Sequence, residues 1–270
     1  MILVGVDGSR AGLEAVTWAA RESALRDLPL LVAHAMPRWA YESEGGPYAE
    51  VGAWLREGGR SVLEAAEERA RREQPKITVD TAFLPDDPRT ALIAAADSAD
   101  LLVVGNHGVG GFRGMLLGSV AYGVAGHASC DVVVVREQRM PPPEEEIVAG
   151  VDGSPASYGV LEFAVKEARL RGARLRVVHA RTAPHAGLFD PAETSGPVGP
   201  FAERYPDVAL VEESVHGHPV EVLRQASDRA ALLVVGSHGH RALAGMVLGS
   251  VTHELLHRAS CPLAVVRSVR

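Results

Sequence analysis

Cysteine and aromatic residues are scarce in this chain, with two cysteines among 270 residues and 5% aromatic content. Two cysteines cannot build the disulfide framework of a small secreted domain, so a packed core has to hold the fold. Few aromatic rings argue against stacking platforms for single-stranded nucleic acid. The longest aliphatic runs, such as 101–104 and 132–135, fall far short of the ~20 residues that a membrane helix needs. We therefore expect a globular protein with no membrane span.

Lysine is also rare, because Lys76 and Lys166 are the only two. Arginine supplies the rest of the 27 basic residues, which are interspersed with 34 acidic ones to give a net charge of −7. An acidic chain without a basic stripe is not expected to bind nucleic acid. Residues 1–7 have neither a basic lead nor a long apolar stretch, so they predict a strand rather than a signal peptide. We expect a cytoplasmic location.

The chain is an internal duplication. Residues 2–9, Ile-Leu-Val-Gly-Val-Asp-Gly-Ser, return at 147–154, an offset of 145, as Ile-Val-Ala-Gly-Val-Asp-Gly-Ser. Residues 103–108 return at 234–239, an offset of only 131, so the second copy has lost a net 14 residues. The loss falls where copy one carries the amphipathic run 59–73. We therefore predict a shorter and less regular second helix in copy two.

A Pro-rich, acidic stretch at residues 140–146, Met-Pro-Pro-Pro-Glu-Glu-Glu, separates the copies. This composition is typical of a stiff, charged linker. We place the first domain at residues 1–140 and the second at 144–270.

Within each copy, short apolar strands alternate with helical periodicity, which predicts an α/β fold with a parallel sheet covered by helices on both faces. The strands of copy one are predicted near 2–7, 29–35, 77–83, 100–105 and 131–136. Its helices are predicted near 9–25, 51–73, 88–98 and 119–128. This order describes a doubly wound, five-stranded sheet, and such sheets bind ligands beyond the carboxyl ends of their strands.

The most specific feature is a glycine pattern that follows the fourth strand of each copy. Copy one has Gly-x-x-Gly, nine further residues and Gly-Ser, at Gly105, Gly108, Gly118 and Ser119. Copy two has the same spacing, at Gly236, Gly239, Gly249 and Ser250. Glycines allow positive φ and close approach, so successive N–H groups can cradle an anion. We predict that Ser119 and Ser250 are N-caps of helices whose N-termini attract phosphate. The alternative is a long βα loop without a ligand, but repetition at identical spacing favours the anion site.

Together with this loop, three other motifs resemble the universal stress proteins. They are the opening Val-Asp-Gly-Ser, the His-Ala pair at 34–35 and 179–180, and the closing Ala-Ser-Cys-x-x-x-Val-Val-Arg. The resemblance covers essentially the whole chain, as a tandem two-domain member. It implies two Rossmann-like domains of the adenine nucleotide alpha hydrolase-like type that bind ATP with Mg²⁺, and a regulatory or stress-response role.

The resemblance also implies roles for individual residues. Asp7 and Asp152 fall at the ribose and metal region, and Ala35 and Ala180 give main-chain bonds to adenine. The remaining nucleotide-binding candidates of copy one are Gly5, Gly105, His107, Gly108, Arg113, Gly118, Ser119 and Val120. Those of copy two are Gly150, Gly236, His238, Gly239, Gly249, Ser250 and Val251. No catalytic residue is assigned.

The chemistry of the aspartates agrees with these roles. A carboxylate repels phosphate, so Asp7 and Asp152 belong near sugar hydroxyls or a cation. The alternative for Asp7 is that it caps the first helix. The loops carry basic residues at different places, Arg113 in copy one and His240-Arg241 in copy two. We therefore expect both sites to bind nucleotide with unequal affinity.

Two other signals have competing interpretations. Residues 253–257 read His-Glu-Leu-Leu-His, the zinc-protease pattern on a predicted helix. Copy one has Tyr-Gly-Val-Ala-Gly at 122–126 and no third ligand is evident, so we interpret the histidines as part of a solvated or interface face. Cys130 and Cys261 precede the last strand of each copy, and we interpret them as reduced core cysteines, with a redox sensor as the alternative.

The sequence favours a binding protein over an enzyme. It has no Walker A lysine motif and no Gly-x-Ser-x-Gly nucleophile elbow, and the glycine loop offers mostly backbone N–H groups. The alternative is a slow ATP hydrolase or nucleotidyl-transferring enzyme of the same fold.

The last strand of each copy, at 131–136 and 262–267, is strongly apolar and predicted to lie at a sheet edge, which usually needs a partner. The resemblance implies that the two domains pair antiparallel through these strands and that whole chains form a homodimer.

Overall fold

The computed structural model describes residues 1–42, 45, 47–110, 117–136, 146–181, 198–239 and 247–267. The chain forms two compact units, Met1–Glu137 and Gln138–Arg270. The limits predicted from the sequence, residues 140 and 144, lie outside the described residues.

The first unit is a five-stranded parallel sheet with helices between the strands. Its strands are β1 (Ile2–Gly5), β2 (Leu30–Met36), β3 (Val79–Pro85), β4 (Leu101–Gly105) and β5 (Asp131–Val135). Its helices are α1 (Arg10–Arg26), α2 (Arg38–Glu42), α3 (Ala49–Glu73), α4 (Pro88–Ala95) and α5 (Ser119–His127). The strand order β3-β2-β1-β4-β5 confirms the doubly wound sheet predicted from the sequence. The short helix α2 was not predicted.

The second unit repeats this architecture. Its strands are β6 (Glu146–Val151), β7 (Arg174–Arg181), β8 (Leu210–His216), β9 (Leu232–Gly236) and β10 (Leu263–Val266). Its helices are α6 (Ala156–Arg171), α7 (Gly199–Arg204), α8 (Pro219–Ser227) and α9 (Ser250–Arg258). The strand order within the unit is β8-β7-β6-β9-β10, with parallel pairing throughout.

The units differ most in the helix between their second and third strands. Helix α3 has 25 residues, whereas α7 has 6. This confirms the shorter second helix that the 14-residue deficit of copy two predicts.

The central strands explain the continuous apolar runs in the sequence. Residues 101–104 of β4 are all buried, because a parallel sheet is covered by helices on both faces. Helix α1 packs on this sheet through small side chains, and Ala15, Ala19 and Ala20 are each 0% exposed. Residues four apart lie on one face of a helix, so these alanines let α1 approach the sheet closely.

None of the helices in the described parts of the chain is both long enough and apolar enough to cross a membrane. Pairing of the two domains through their last strands and dimerisation of the chain remain predictions.

Candidate functional site

Each unit has a cavity at the carboxyl ends of its central strands. In unit 1 the cavity measures about 400 Å³ and lies where β1 is flanked by β2 and β4. In unit 2 it measures about 470 Å³ and lies where β6 is flanked by β7 and β9. These are the switch points of the two sheets, where chain connections leave in opposite directions and open a crevice.

The cavities collect the residues that the sequence singles out. Those of unit 1 are Gly5, Asp7, Ala35, Gly105, His107, Gly108, Gly118, Ser119 and Val120. Those of unit 2 are Gly150, Asp152, Ala180, Gly236, His238, Gly239, Gly249, Ser250 and Val251. Arg113 and the basic pair at 240–241 lie outside the described residues.

The carboxylate of Asp7 joins the end of β1 to the glycine loop. Its Oδ1 accepts the backbone N–H of Ser9 at 3.0 Å, and its Oδ2 accepts the backbone N–H of Val109 at 2.9 Å. The alternative that Asp7 caps α1 is wrong, because the N-cap is Ser9, whose hydroxyl accepts the N–H of Gly12 at 3.0 Å. Asp7 therefore holds the loop instead of the helix.

Asp152 occupies the same place in unit 2 with a different set of donors. Its Oδ1 accepts the backbone N–H of Ser154 at 3.0 Å and the hydroxyl of Ser157 at 3.1 Å. Helix α6 follows an N-cap at Pro155, which has no side-chain capping bond. The two aspartates are thus equivalent in position but not in hydrogen bonding.

The loop glycines are needed for close approach, not for the positive φ that the sequence suggested. A Cβ on Gly108 would lie 2.2 Å from Asp7 Oδ2, and one on Gly239 would lie 2.5 Å from Asp152 Oδ2. None of the pattern glycines has positive φ; that conformation falls on Gly8 and Gly153, directly after the aspartates. A side chain at Gly108 or Gly239 would therefore displace the carboxylate.

The prediction that Ser119 and Ser250 are N-caps is wrong. Gly118 and Gly249 are the N-caps of α5 and α9, and the two serines are the first helical residues. Neither helix has a side-chain capping bond at this end. A helix start without a capping side chain keeps its first N–H groups available to an anion, and the helix dipole adds positive potential there.

A backbone hydrogen bond closes the glycine loop in each unit. Gly118 donates its N–H to the carbonyl of Asn106 at 2.7 Å, and Gly249 donates to that of Ser237 at 2.8 Å. The start of the helix is thereby pinned beside the end of the fourth strand, which gives the same loop closure in both units.

Strand β2 presents backbone groups to the cavity at Ala35. Val6 donates the last hydrogen bond from the β1 side, to Ala33 at 2.9 Å, and the Val6 carbonyl lies 2.8 Å from His34 Nδ1. Successive residues of a strand direct their N–H and C=O groups to opposite edges. Ala35 therefore directs its N–H and C=O groups to the same edge of β2 as Ala33 does. At Ala35 this edge extends beyond the end of β1, where the cavity begins.

The described cavity linings carry a single charged side chain each, Asp7 in one unit and Asp152 in the other, apart from histidines. At the rim of unit 1, Asp87 is the N-cap of α4 next to the lining residue Pro88. Hydrogen bonds from Thr90 hold the pKa of the Asp87 carboxyl below its ordinary value. Apart from the aspartate and the histidines, the polar groups in each described lining are therefore hydroxyls and backbone groups.

Several lining residues were missed by the sequence analysis. Ser9 and Ser154 belong to the duplicated Val-Asp-Gly-Ser motif, so the repeat itself was a signal for them. Gly12 and Ser157 occupy one aligned position but differ in type, and only the structure shows that both face the aspartate.

The fold brings no third metal ligand to the zinc-protease pattern from the part of the chain that the structure describes. The rings of His253 and His257 lie 5.1 Å apart on α9. Among the described residues, no group of three or more His, Cys, Asp or Glu side chains could hold a metal ion. Of the two cysteines, Cys261 is buried and Cys130 is only partly buried, so the prediction of a core cysteine is wrong for Cys130.

Comparison with known proteins agrees with this architecture. The sequence profile of the universal stress protein family matches residues 1–136 and 145–267. The chain is 33% identical over 284 residues to universal stress protein Rv2005c of Mycobacterium tuberculosis, covering 98% of this chain and 96% of that protein. It is 35% identical over 285 residues to Rv2623 of the same species, with the same coverage.

The fold has a counterpart among solved structures. A universal stress protein from Archaeoglobus fulgidus superposes with a TM-score of 0.76 at 17% identity, covering 98% of this chain and 95% of that chain. Fold and cavities therefore define a tandem pair of Rossmann-like α/β domains. Since the family profile matches both halves, the chain belongs to the universal stress protein family.

Proposed function

We propose that each unit binds ATP with Mg²⁺ in its cavity and that the protein acts as a nucleotide-dependent regulator in a stress response. The observation that carries the proposal is the repeated construction of the cavity. In both units a strand-end aspartate, a glycine loop and a helix start without a capping side chain converge on one switch point. Two domains with different helical surroundings have kept this arrangement.

The phosphate chain fits the loop side of the cavity. Glycine at 108 and 239 brings the loop backbone against the aspartate, where a Cβ would collide. The N–H groups at the starts of α5 and α9 can donate to phosphate oxygens. Mg²⁺, when bound, supplies the positive charge that lets a carboxylate and a phosphate lie side by side. Asp7 and Asp152 are the residues that would hold it.

The adenine fits the strand side. The backbone donor and acceptor of Ala35 can pair with the edge of a purine, and Ala180 occupies the same position in β7. The apolar side chains of Leu92 and Leu223 line the same cavities, and they offer a surface for a flat ring.

Holding ATP is favoured over turning it over. The aspartates are the only carboxylates in the described linings, and each already accepts hydrogen bonds from neighbouring backbone N–H or hydroxyl groups. Phosphoryl transfer needs a positioned base and cations in addition to a phosphate cradle. The second candidate, a slow ATP hydrolase or nucleotidyl-transferring enzyme, predicts steady release of phosphate or pyrophosphate. A homodimer in the cytoplasm is part of the proposal.

Titration calorimetry with ATP and Mg²⁺ tests the proposal on the full chain. We expect two ATP molecules per chain in the wild type and one in Gly108→Glu, because the new side chain displaces Asp7 and brings a negative charge into the cradle. Gly58→Glu is the matched control, since position 58 is exposed and a Cβ there contacts nothing within 4 Å. Unchanged stoichiometry and affinity in Gly108→Glu would reject the site.

A further inference from the structure

The two aspartates are held differently because one position in the following helix differs between the copies. Gly12 of unit 1 corresponds to Ser157 of unit 2, 145 residues further on. The Ser157 hydroxyl donates to Asp152 Oδ1 at 3.1 Å and accepts the Asp152 backbone N–H at 3.3 Å. Ser157 is only 2% exposed. The Ser157 hydroxyl therefore connects the carboxylate of Asp152 to the backbone N–H of the same residue.

Unit 1 has no side chain at this place. A Cβ on Gly12 would lie 3.3 Å from both Asp7 Oδ1 and Ser9 Oγ. Glycine instead donates its backbone N–H to Ser9 Oγ at 3.0 Å, which caps α1. Asp7 Oδ1 accepts the Ser9 N–H alone within the described parts of the chain.

The difference between Gly12 and Ser157 is accompanied by a difference at Ser154. Ser154 corresponds to Ser9 and lines the cavity, but its Oγ is buried and has no hydrogen-bond partner among the described residues. A buried hydroxyl without a partner is costly and calls for an explanation. Rotation about its Cα–Cβ bond would let this hydroxyl donate to a ligand in the cavity of unit 2.

The difference has a consequence for cation binding. A carboxylate oxygen has two lone pairs, and both lone pairs of Asp152 Oδ1 are taken by Ser154 N–H and Ser157 O–H. A cation approaching this oxygen would have to displace the hydroxyl. In unit 1, Asp7 Oδ1 keeps a lone pair for a cation.

We infer that Ser157 is a positioning residue that makes nucleotide binding in unit 2 less dependent on a divalent cation than binding in unit 1. The inference rests on the proposed function. In unit 1 Asp7 would hold the cation, which would supply positive charge toward phosphate, whereas in unit 2 the Ser154 hydroxyl would supply part of the phosphate contact.

Chains with a single working site allow each unit to be measured alone. Gly239→Glu retains the site of unit 1, and Gly108→Glu retains that of unit 2. The ATP dissociation constant of each is measured by calorimetry in excess Mg²⁺ and again in excess EDTA. We expect the ratio of the two constants to be about tenfold larger for unit 1, the effect of roughly one hydrogen bond to a charged group.

Exchanging the residue types at positions 12 and 157 should exchange the cation dependence of ATP binding. Gly12→Ser in the unit 1 chain should lower the EDTA-to-Mg²⁺ ratio, and Ser157→Gly in the unit 2 chain should raise it. Ser157→Thr retains a hydroxyl and should keep the parent ratio. A purely structural role for Ser157 would change both dissociation constants by the same factor and leave the ratio unchanged.

The outcomes separate this inference from the proposed function. Equal ratios in the two single-site chains, or exchange variants that keep their parents' ratios, overturn the role of Ser157 while ATP binding stands. If neither single-site chain binds ATP, and the folded control Gly58→Glu does not bind it either, the proposed function is overturned and the inference with it.

Discussion

The two units build the same cavity on different supports. Unit 1 covers its sheet with the 25-residue helix α3, whereas unit 2 has the 6-residue helix α7 in the corresponding connection. Yet the cavities differ by only about 70 Å³, at about 400 and 470 Å³. The cavity survives because none of the described residues that line it belongs to the variable connection. A doubly wound sheet can therefore lose much of an outer helix and keep its switch point.

The contact between the first helix and the glycine loop also differs. A Cβ on Gly105 would lie 2.7 Å from the backbone of Ala11, but one on Gly236 would meet no atom closer than His238 O at 3.0 Å. The first helix thus approaches the fourth strand more closely in unit 1. In addition, β6 pairs with β7 as far as Val151, one residue beyond the equivalent end of β1 at Gly5.

The largest effect is expected where the units agree. Glu22 and Glu167 are both 0% exposed and pair with Arg26 and Arg171 four residues later. Removing one partner of a buried ion pair costs about 3 kcal/mol, so Glu22→Ala and Glu167→Ala should each lower the free energy of unfolding by this amount. Urea denaturation measures it.

Fluorescence assigns the loss to a unit, because all three tryptophans, at positions 18, 39 and 54, lie in unit 1. Glu22→Ala should shift the unfolding transition followed by fluorescence to lower urea concentration. Glu167→Ala should shift the transition followed by far-ultraviolet circular dichroism and leave the fluorescence transition in place. Glu68→Ala, which removes the exposed pair with Arg72, is the control and should stay within about 0.5 kcal/mol of wild type. A cost below 1 kcal/mol in both buried variants would contradict the buried pairing.

A smaller effect should separate the units. Gly105→Ala places a Cβ against the rigid backbone of Ala11, so we expect a loss of about 2 to 3 kcal/mol in the stability of unit 1. Gly236→Ala should cost about 1 kcal/mol in unit 2, because its nearest contact is longer. Urea denaturation followed by the two probes compares them. Equal costs would show that the first helices approach their strands to the same extent.

The smallest effect concerns acid stability of unit 2. A hydrogen bond from Lys166, with Arg204 nearby, holds the pKa of Glu162 below its ordinary value of 4.5. A lowered pKa in the folded state means that the carboxylate stabilises the fold above that value and that the contribution is lost as pH falls below it. We expect the contribution to stay below about 1 kcal/mol, because the side chain is partly exposed.

Thermal melts of Glu162→Gln against wild type measure this term. The variant should melt below wild type at pH 7, and the gap should narrow as pH falls below 4.5. A gap that does not change with pH would mean that packing of α7, not the charge of Glu162, is responsible.

The sequence was sufficient to predict the doubly wound parallel sheet of each unit and many of the residues that line the cavities. Duplication revealed the repeated motifs, and apolar runs such as 101–104 predicted the buried strands. Hydrogen-bond roles within the loops could not be predicted, because they depend on which of several adjacent polar groups the backbone brings into range. Thus Ser9, not Asp7, is the N-cap of α1, and Gly118, not Ser119, is the N-cap of α5. The roles of Gly12 and Ser157 emerge only from three-dimensional proximity.

Native mass spectrometry of the full chain with ATP and Mg²⁺ tests the central claim most directly. The mass of each bound molecule identifies it, and single-site chains assign it to a unit. We predict two intact ATP molecules per chain in the wild type, one in Gly108→Glu or Gly239→Glu, and none when both substitutions are combined. A wild-type chain that binds no nucleotide, or whose bound ATP is replaced by ADP within minutes with release of phosphate, would contradict an ATP-holding regulator.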